Sequence, residues 1–149
     1  MLVVLDSGPL GMLCNPNPTV ATQAAHEWSQ ARLIAGDLIA IPEIADYEVR
    51  RELLRARKER SVTLLNQLCA IHEFLPITTA AMQEAASLWA DARNTGLPTS
   101  HHTALDGDVI LAAQARHAQA ANSSETVVVA TTNTSHLTRY TDARLWSDI

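Results

Sequence analysis

The sequence has few cysteines and no long apolar run, and these absences exclude several classes of protein. Its two cysteines, Cys14 and Cys69, form neither a CxxC pair nor the Cys/His spacing of a zinc site. A disulfide framework and a structural zinc site are therefore not indicated, and reduced thiols in a cytoplasmic protein are expected. No stretch approaches the ~20 apolar residues that a membrane helix needs. Residues 1–6 lack the basic start of a signal peptide.

Aromatic residues and positive charge are also scarce. Aromatics make up 4% of the chain and hydrophobic residues 47%, so Ala, Leu, Ile and Val must form the core, with Trp28, Trp89 and Trp146 as the large fillers. The net charge of -5 argues against a non-specific nucleic-acid binder, which usually carries a basic surplus. The charge is uneven, however, because six of the 11 cations lie between positions 50 and 60. The length of 149 residues, without repeat or linker, predicts a single domain spanning 1–149.

Short apolar runs alternate with segments of helical periodicity along the chain. The runs at 3–5, 38–41, 74–77 and 126–130 predict strands, and 142–146 predicts a short edge strand. Residues 7–9 predict a turn and 97–102 a loop, and Pro42 is expected to open a helix that continues to about Arg60. The alternation predicts an α/β domain with a central, mostly parallel sheet of four to five short strands. Ligands bind such sheets at the carboxyl ends of the strands.

Three acids and one amide are placed to meet at that edge of the sheet. Asp6 and Asn133 directly follow predicted strands, whereas Glu48 and Asp108 lie on predicted helices. Carboxylates that converge repel one another unless a cation lies between them, and such oxygen ligands suit Mg²⁺ or Mn²⁺. A site of this kind can activate water and stabilise an in-line phosphoryl displacement.

Each candidate also has an ordinary structural interpretation. Asp6 and Asn133 are common turn residues, and Glu48 could pair with Arg51 on its own helix. Asp108 is expected at the start of its helix, where a carboxylate complements the helix dipole, and nearby Asp106 could serve as an N-cap. It is the combination of these residues, in this order, that favours a site.

Four segments, in this order, resemble the motifs of PIN domains, and particularly of VapC-type toxins. They are VVLDS at 3–7, PEIADYEVRREL at 42–53, DVILAAQA at 108–115 and VVVATTN at 127–133. The resemblance covers essentially the whole chain and implies a PIN-like three-layer α/β/α fold. It also implies a metal-dependent endoribonuclease, the toxin of a type II toxin–antitoxin pair.

Carried over residue by residue, the resemblance implies roles for individual side chains. Asp6, Glu48 and Asp108 match the acidic residues that are catalytic and bind the metal, and Ser7 matches a supporting hydroxyl. Asn133 stands at a position that is Asp in many members, so it and Asp106 are further candidate ligands of Mg²⁺ or Mn²⁺. The implied partners are an RNA substrate, an antitoxin protein and a second copy of the chain in a homodimer.

The basic run beside Glu48 predicts contacts with RNA phosphates. The residues proposed for these contacts are Arg50, Arg51 and Arg55. The same run could instead form a solvated helix face, or dock an acidic peptide.

Two other functions remain open at this stage. One is a non-catalytic RNA- or protein-binding module, which the amide of Asn133 favours slightly and the unpaired acids oppose. The other is a phosphotransfer domain with Asp6 as nucleophile. That chemistry needs a lysine near a later strand end, whereas the one lysine, Lys58, lies on an early helix, and Gly8 stands where a second Asp is expected.

Overall fold

Five parallel strands form the centre of the protein. The computed structural model describes the backbone of residues 1–95 and 102–149, and the side chains of 1–95 and 105–149. The strands are β1 (Leu2–Leu5), β2 (Leu38–Pro42), β3 (Glu73–Leu75), β4 (Val127–Thr131) and β5 (Ala143–Leu145). Their order across the sheet is β3-β2-β1-β4-β5, and each neighbouring pair is parallel. The α/β prediction is confirmed, and the sheet of the described residues is parallel throughout.

Seven α-helices of the described residues connect or flank these strands. They are α1 (Ser7–Leu13), α2 (Val20–Ile34), α3 (Glu43–Arg55), α4 (Glu59–Ile71), α5 (Thr79–Asn94), α6 (His102–Ala121) and α7 (Thr134–Leu137), and a short 3₁₀ turn (Trp146–Asp148) follows β5. The predicted loop at 97–102, with the adjacent His101 and His102, lies outside the described residues, except that the backbone of His102 begins α6.

Alternation along β1 divides the core into two faces, because successive strand residues point to opposite sides. Val3 and Leu5 pack in one cluster with residues of α1, α2, α3 and α4. Leu2 and Val4 pack in another, mainly with residues of α6 and α7. The sheet therefore lies between two helical layers, as the PIN-like prediction requires.

The turn predicted at 7–9 is wrong, because α1 begins there. Asp6 caps this helix by accepting a hydrogen bond from the Ser7 N–H, at 2.6 Å. Pro9 is tolerated because the first N–H groups of a helix have no partner within it. Gly8 allows a close approach to β4, since a Cβ at this position would lie 2.6 Å from the Thr132 hydroxyl.

Two predicted helix boundaries are also wrong. The helix after β2 does not reach Arg60: α3 ends at Arg55, and α4 begins at Glu59 after a tight turn. Pro42 ends β2 and is the N-cap of α3 rather than its first residue. At the other boundary, α6 begins at His102 instead of near Asp106. Leu105, in this added first turn, is buried in a cluster with residues of α5.

The large aromatic residues and the thiols are distributed unequally. Trp28 and Trp146 meet edge to face with ring centroids 5.6 Å apart, as core fillers should, but Trp89 is 38% exposed. Cys14 and Cys69 are free thiols, and burial raises the pKa of Cys14 to about 12. No helix in the described ranges is long and apolar enough to cross a membrane.

Candidate active site

The sheet changes its winding direction between β1 and β4. From β1 the chain proceeds to β2 and β3 on one side, whereas β4 and β5 lie on the other side. Such a switch point opens a crevice at the carboxyl ends of the two strands, where open α/β sheets bind ligands. Asp6 directly follows β1, and β4 ends at Thr131.

Asp6 is fixed at this switch point by hydrogen bonds to both carboxylate oxygens. Oδ1 accepts from the Ser7 N–H at 2.6 Å and from the Ser7 hydroxyl at 3.3 Å. Oδ2 accepts from the Thr131 hydroxyl at 2.6 Å, and Thr131 is fully buried at the end of β4. Each carboxylate oxygen has two lone-pair sites. Asp6 is therefore oriented by its neighbours and still has acceptor capacity toward the crevice.

Glu48 reaches the site from α3 and lies directly against the backbone of Gly107 in α6. A Cβ at position 107 would overlap the Glu48 Oε1 atom, so the carboxylate occupies space that only glycine leaves free. Glu48 is half-buried, and this burial raises the pKa of its carboxyl. A hydrogen bond from Ser7 and the nearby Arg51 lower that pKa, whereas the Asp6 charge raises it.

Asp108 completes the acidic group from α6. The pKa of Asp108 is raised to about 6, mainly by burial and also by the charges of Asp6 and Glu48, while His136 of α7 acts in the opposite direction. The charge of Asp6 raises the pKa of both Asp108 and Glu48, and the charge of Glu48 raises that of Asp108. The three acids, which span about 100 residues of the sequence, thus lie within electrostatic range of one another.

Comparisons with known proteins agree with this architecture. The chain is similar to one in VapBC2 from Rickettsia felis, solved bound to a DNA fragment from its promoter: the TM-score is 0.70, the identity 18%, and 98% of this chain and 99% of that one are covered. A chain of VapBC-1 from nontypeable Haemophilus influenzae gives 0.69 and 17%, with 99% of both chains covered. The chain has a PIN-like fold. No protein-family model matches the sequence, and no curated protein does either.

Two further candidate ligands take different positions around the PIN-like site. The Oδ1 atom of Asn133 caps α7, accepting from the Ser135 N–H at 3.1 Å and from its hydroxyl at 2.7 Å. This oxygen is already engaged, and a metal contact by Asn133 stays a prediction. Asp106 is exposed and lies in the second turn of α6, where it borders an apolar groove with Trp89 rather than capping the helix.

The three arginines expected to contact RNA differ in their surroundings. Arg50 is held internally, donating to both carboxylate oxygens of Asp46 at 2.7 and 3.0 Å and to Asn66 at 2.8 Å. Arg55 pairs with Glu52 on the surface. Arg51 is exposed, with its guanidinium 5.3 Å from the centre of the Tyr47 ring. Of the three, only Arg51 borders the groove that contains Glu48, a cavity of about 520 Å³.

Three residues of the site were not singled out from the sequence as functional. Thr131 positions Asp6, Gly107 admits Glu48, and His136 lies within electrostatic reach of Asp108. For Thr131 and Gly107, the sequence around the residue gives a partial indication of its role. A buried hydroxyl at the end of a strand needs a partner, and a glycine inside a helical pattern often marks a close approach.

The donor set of the PIN-like site fits a hard cation. Asp6, Glu48 and Asp108 offer carboxylate oxygens, which Mg²⁺ and Mn²⁺ prefer. Burial, and after it the charges of Asp6 and Glu48, raise the pKa of Asp108, and a bound cation would favour the charged form of this carboxylate. Within residues 1–95 and 105–149, however, no three acidic, histidine or cysteine side chains are positioned so that they could hold a metal ion. The carboxylates would have to turn toward an ion to bind it.

Proposed function

We propose that this chain is a divalent-metal-dependent endoribonuclease that hydrolyses RNA phosphodiester bonds. The observation that carries the proposal is the convergence of Asp6, Glu48 and Asp108 at the switch point of a PIN-like sheet. Two half-buried carboxylates with raised pKa values beside a third are costly to the fold, and they indicate a functional site rather than a surface feature.

Asp6, Glu48 and Asp108 would hold Mg²⁺ or Mn²⁺. When bound, the cation supplies Lewis acidity, which activates water and offsets the charge that develops on the phosphoryl oxygens. Asp6 serves as the fixed point of the site because Ser7 and Thr131 already orient it. Ser7 supports the arrangement through its hydroxyl, which lies near both Asp6 and Glu48.

The attacking water needs a base that can orient it and accept its proton. Glu48 and Asp108 are the two candidates, because the pKa of each carboxyl is raised toward the range in which a base is efficient. Either residue lies beside the crevice, and Asp6 is already committed to its hydrogen bonds.

Cleavage of a labelled RNA by the purified protein tests this proposal. We expect cleavage with Mg²⁺ or Mn²⁺, and its loss in EDTA and in Asp6→Asn. The matched control is Asp91→Asn, which removes an exposed carboxylate at the end of α5 and should cleave at the wild-type rate. Cleavage that survives both EDTA and Asp6→Asn would contradict the metal-dependent mechanism.

The proposed biological role is that of a toxin neutralised by an antitoxin protein. It is supported by the fold, since the two structures described above are VapBC complexes. We expect that inducing the wild-type chain in bacteria arrests growth and that inducing Asp6→Asn does not. Arrest by both variants would separate toxicity from the acidic site. The homodimer implied by the family resemblance stays a prediction, to be measured by light scattering.

A further inference from the structure

The turn between α3 and α4 carries three cations that the fold does not use. We call Arg57, Lys58 and Arg60 the basic turn. All three are exposed, and none of their side chains forms an ion pair or hydrogen bond with a residue that the structure describes. Arg50 and Arg55, a few residues earlier, are both paired with acids.

The backbone of the basic turn gives a second reason to look for a ligand. Arg57 has φ +54°, the one non-glycine residue with positive φ among the described residues. Its N–H bonds the Leu54 carbonyl at 3.0 Å, and the Lys58 N–H bonds that of Leu53 at 2.9 Å, closing the end of α3. This left-handed conformation favours Gly or Asn and costs other residues roughly 1 kcal/mol. The local fold therefore does not explain why an arginine stands at position 57.

Adjoining grooves lie between the basic turn and the acidic site, and Glu59 lines the two grooves that border the turn. The groove at Glu48 and Ser7 includes Leu53, and Leu53 also borders the next groove, of about 410 Å³, which reaches Arg57 and Lys58. A third groove, of about 370 Å³, continues past Arg60 to Asn15 and Asn17. Seven residues of α3 separate Glu48 from Arg55, about 10 Å along the helix axis. The basic turn is therefore too far to contact the nucleotide being cut.

We propose that the basic turn binds the phosphates of a single-stranded RNA segment several nucleotides away from the cleaved bond. The inference rests on the proposed ribonuclease function and adds a recognition site to it. Unpaired surface cations in an open groove suit phosphates, whose binding releases counterions. Asn15 and Asn17 border the far groove beside Arg60, and their carboxamides can donate hydrogen bonds to phosphate oxygens.

The test compares two triple variants of equal charge. In one, Arg57→Asn, Lys58→Gln and Arg60→Gln remove the basic turn, with Asn chosen because it tolerates positive φ. In the control, Arg116→Gln, Arg139→Gln and Arg144→Gln remove three exposed cations elsewhere. Both carry Asp108→Asn so that RNA is bound without being cut. Fluorescence anisotropy with a labelled RNA of about 16 nucleotides, the upper end of the site sizes of single-strand binders, gives the dissociation constant at several salt concentrations.

We expect the basic-turn variant to bind at least about tenfold more weakly and its salt slope to fall by about 2, since each single-strand phosphate contact contributes ~0.7. The control should keep the slope of the protein that carries Asp108→Asn alone. Equal slopes for the two variants would overturn the proposal. Loss of binding to an acidic partner protein, with RNA binding intact, would also overturn it and assign the surface to protein docking.

Cleavage by the same triple variants with Asp108 restored separates this inference from the function on which it rests. For the long RNA, the basic-turn variant should raise KM and leave kcat unchanged. For a dinucleoside monophosphate, whose one phosphate is the bond being cut, no other phosphate is left for the turn to bind, and both constants should match the wild type. Absence of any RNA cleavage by the wild-type protein would refute the ribonuclease function, while the binding experiment would still decide whether the turn holds RNA.

Discussion

The acidic site and the basic turn lie at two places along α3 and are held in opposite ways. The carboxylates are half-buried, and Asp6 is fixed by Ser7 and by buried Thr131. The cations of the basic turn are exposed and have no partners among the described residues. Hydrogen bonds therefore orient Asp6 and burial restricts Glu48 and Asp108, whereas the turn presents charge without fixing its direction. Catalysis needs oriented groups such as the carboxylates, whereas binding of a flexible RNA strand tolerates exposed cations without a fixed direction.

The contact between Glu48 and Gly107 should be the most sensitive point of the acidic site. Gly107→Ala places a methyl group where the Glu48 carboxylate lies, so the carboxylate must move. We expect RNA cleavage to fall by about 100-fold, the loss that a displacement of ~1 Å can cause. The rate of cleavage under saturating metal measures this effect.

Gly11→Ala is the matched control for the stability of that variant. Gly11 is also helical, but a Cβ there meets nothing within 4 Å. Alanine at this position should stabilise the protein by ~0.5–1 kcal/mol because it lowers the entropy of the unfolded chain. If Gly107→Ala melts like the wild type and cleaves RNA equally fast, the contact has no importance for the site.

The hydroxyl of Thr131 should matter less than the Glu48 contact, but for both stability and activity. Thr131→Val keeps the shape and leaves an oxygen of Asp6 without its donor. We expect ~1–3 kcal/mol of lost stability, the cost of an unsatisfied buried polar group, as measured by urea unfolding. Cleavage should fall by about tenfold, the equivalent of 1.4 kcal/mol. Thr138→Val, which removes an exposed hydroxyl at the C-cap of α7, should change neither quantity.

Asp108 should make the metal-free protein less stable as the pH rises. The folded state raises the pKa of Asp108 from 3.8 to about 6, so it binds the proton more tightly than the unfolded state does. That contribution is fully present below pH ~4 and is lost as the pH rises through about 6. In EDTA at pH 7.5, Asp108→Asn should therefore raise stability by ~1–2 kcal/mol, a figure reduced for partial exposure.

Thermal melts of Asp108→Asn and of the wild type at pH 4.0 and 7.5 give the comparison. The two proteins should differ at pH 7.5 and nearly coincide at pH 4.0, whereas Asp91→Asn should match the wild type at both. A variant that is more stable and also inactive would show that the acid is kept for function. Equal stability at pH 7.5 would contradict the raised pKa.

Substitution of Arg50 should have the smallest effect, and it distinguishes a cation used by the fold from the cations of the basic turn. Arg50→Gln removes its pairing with Asp46 and Asn66, so we expect ~0.5–1 kcal/mol of lost stability. Its RNA affinity should stay close to that of the wild type, in contrast to the basic-turn variant. A large loss of affinity in Arg50→Gln would restore Arg50 as an RNA contact.

Periodicity and strand order were sufficient to predict most of the fold. Alternation of apolar runs with helical segments predicted the parallel sheet, and the positions of Asp6 and Asn133 after strands predicted the edge at which the acids meet. The helix α1 was missed because Ser7, Gly8 and Pro9 are all typical of turns. The N-cap role of Asp6 outweighs that tendency, and Leu10 and Leu13 bury the helix against the sheet.

What could not be predicted depends on contacts between distant segments. The observed start of α6 precedes the predicted one because Leu105 packs with α5, a contact that no local pattern reveals. Residues 50–60 read as one continuous basic helix, whereas the turn at Arg57 divides them into a paired part and an unpaired part. Thr131 and Gly107 act only through Asp6 and Glu48, more than 50 residues away in the sequence.

The overlap between Glu48 and position 107 also has a consequence for the history of this sequence. As long as Glu48 is present, a side chain at position 107 makes its carboxylate shift, so the two positions are coupled. A descendant that loses the glutamate is released from the need for glycine, and alanine there would then improve the helix. Among divergent relatives, glycine at 107 should therefore be retained with glutamate at 48 and drift where it is absent, which marks sequences whose acidic site has decayed.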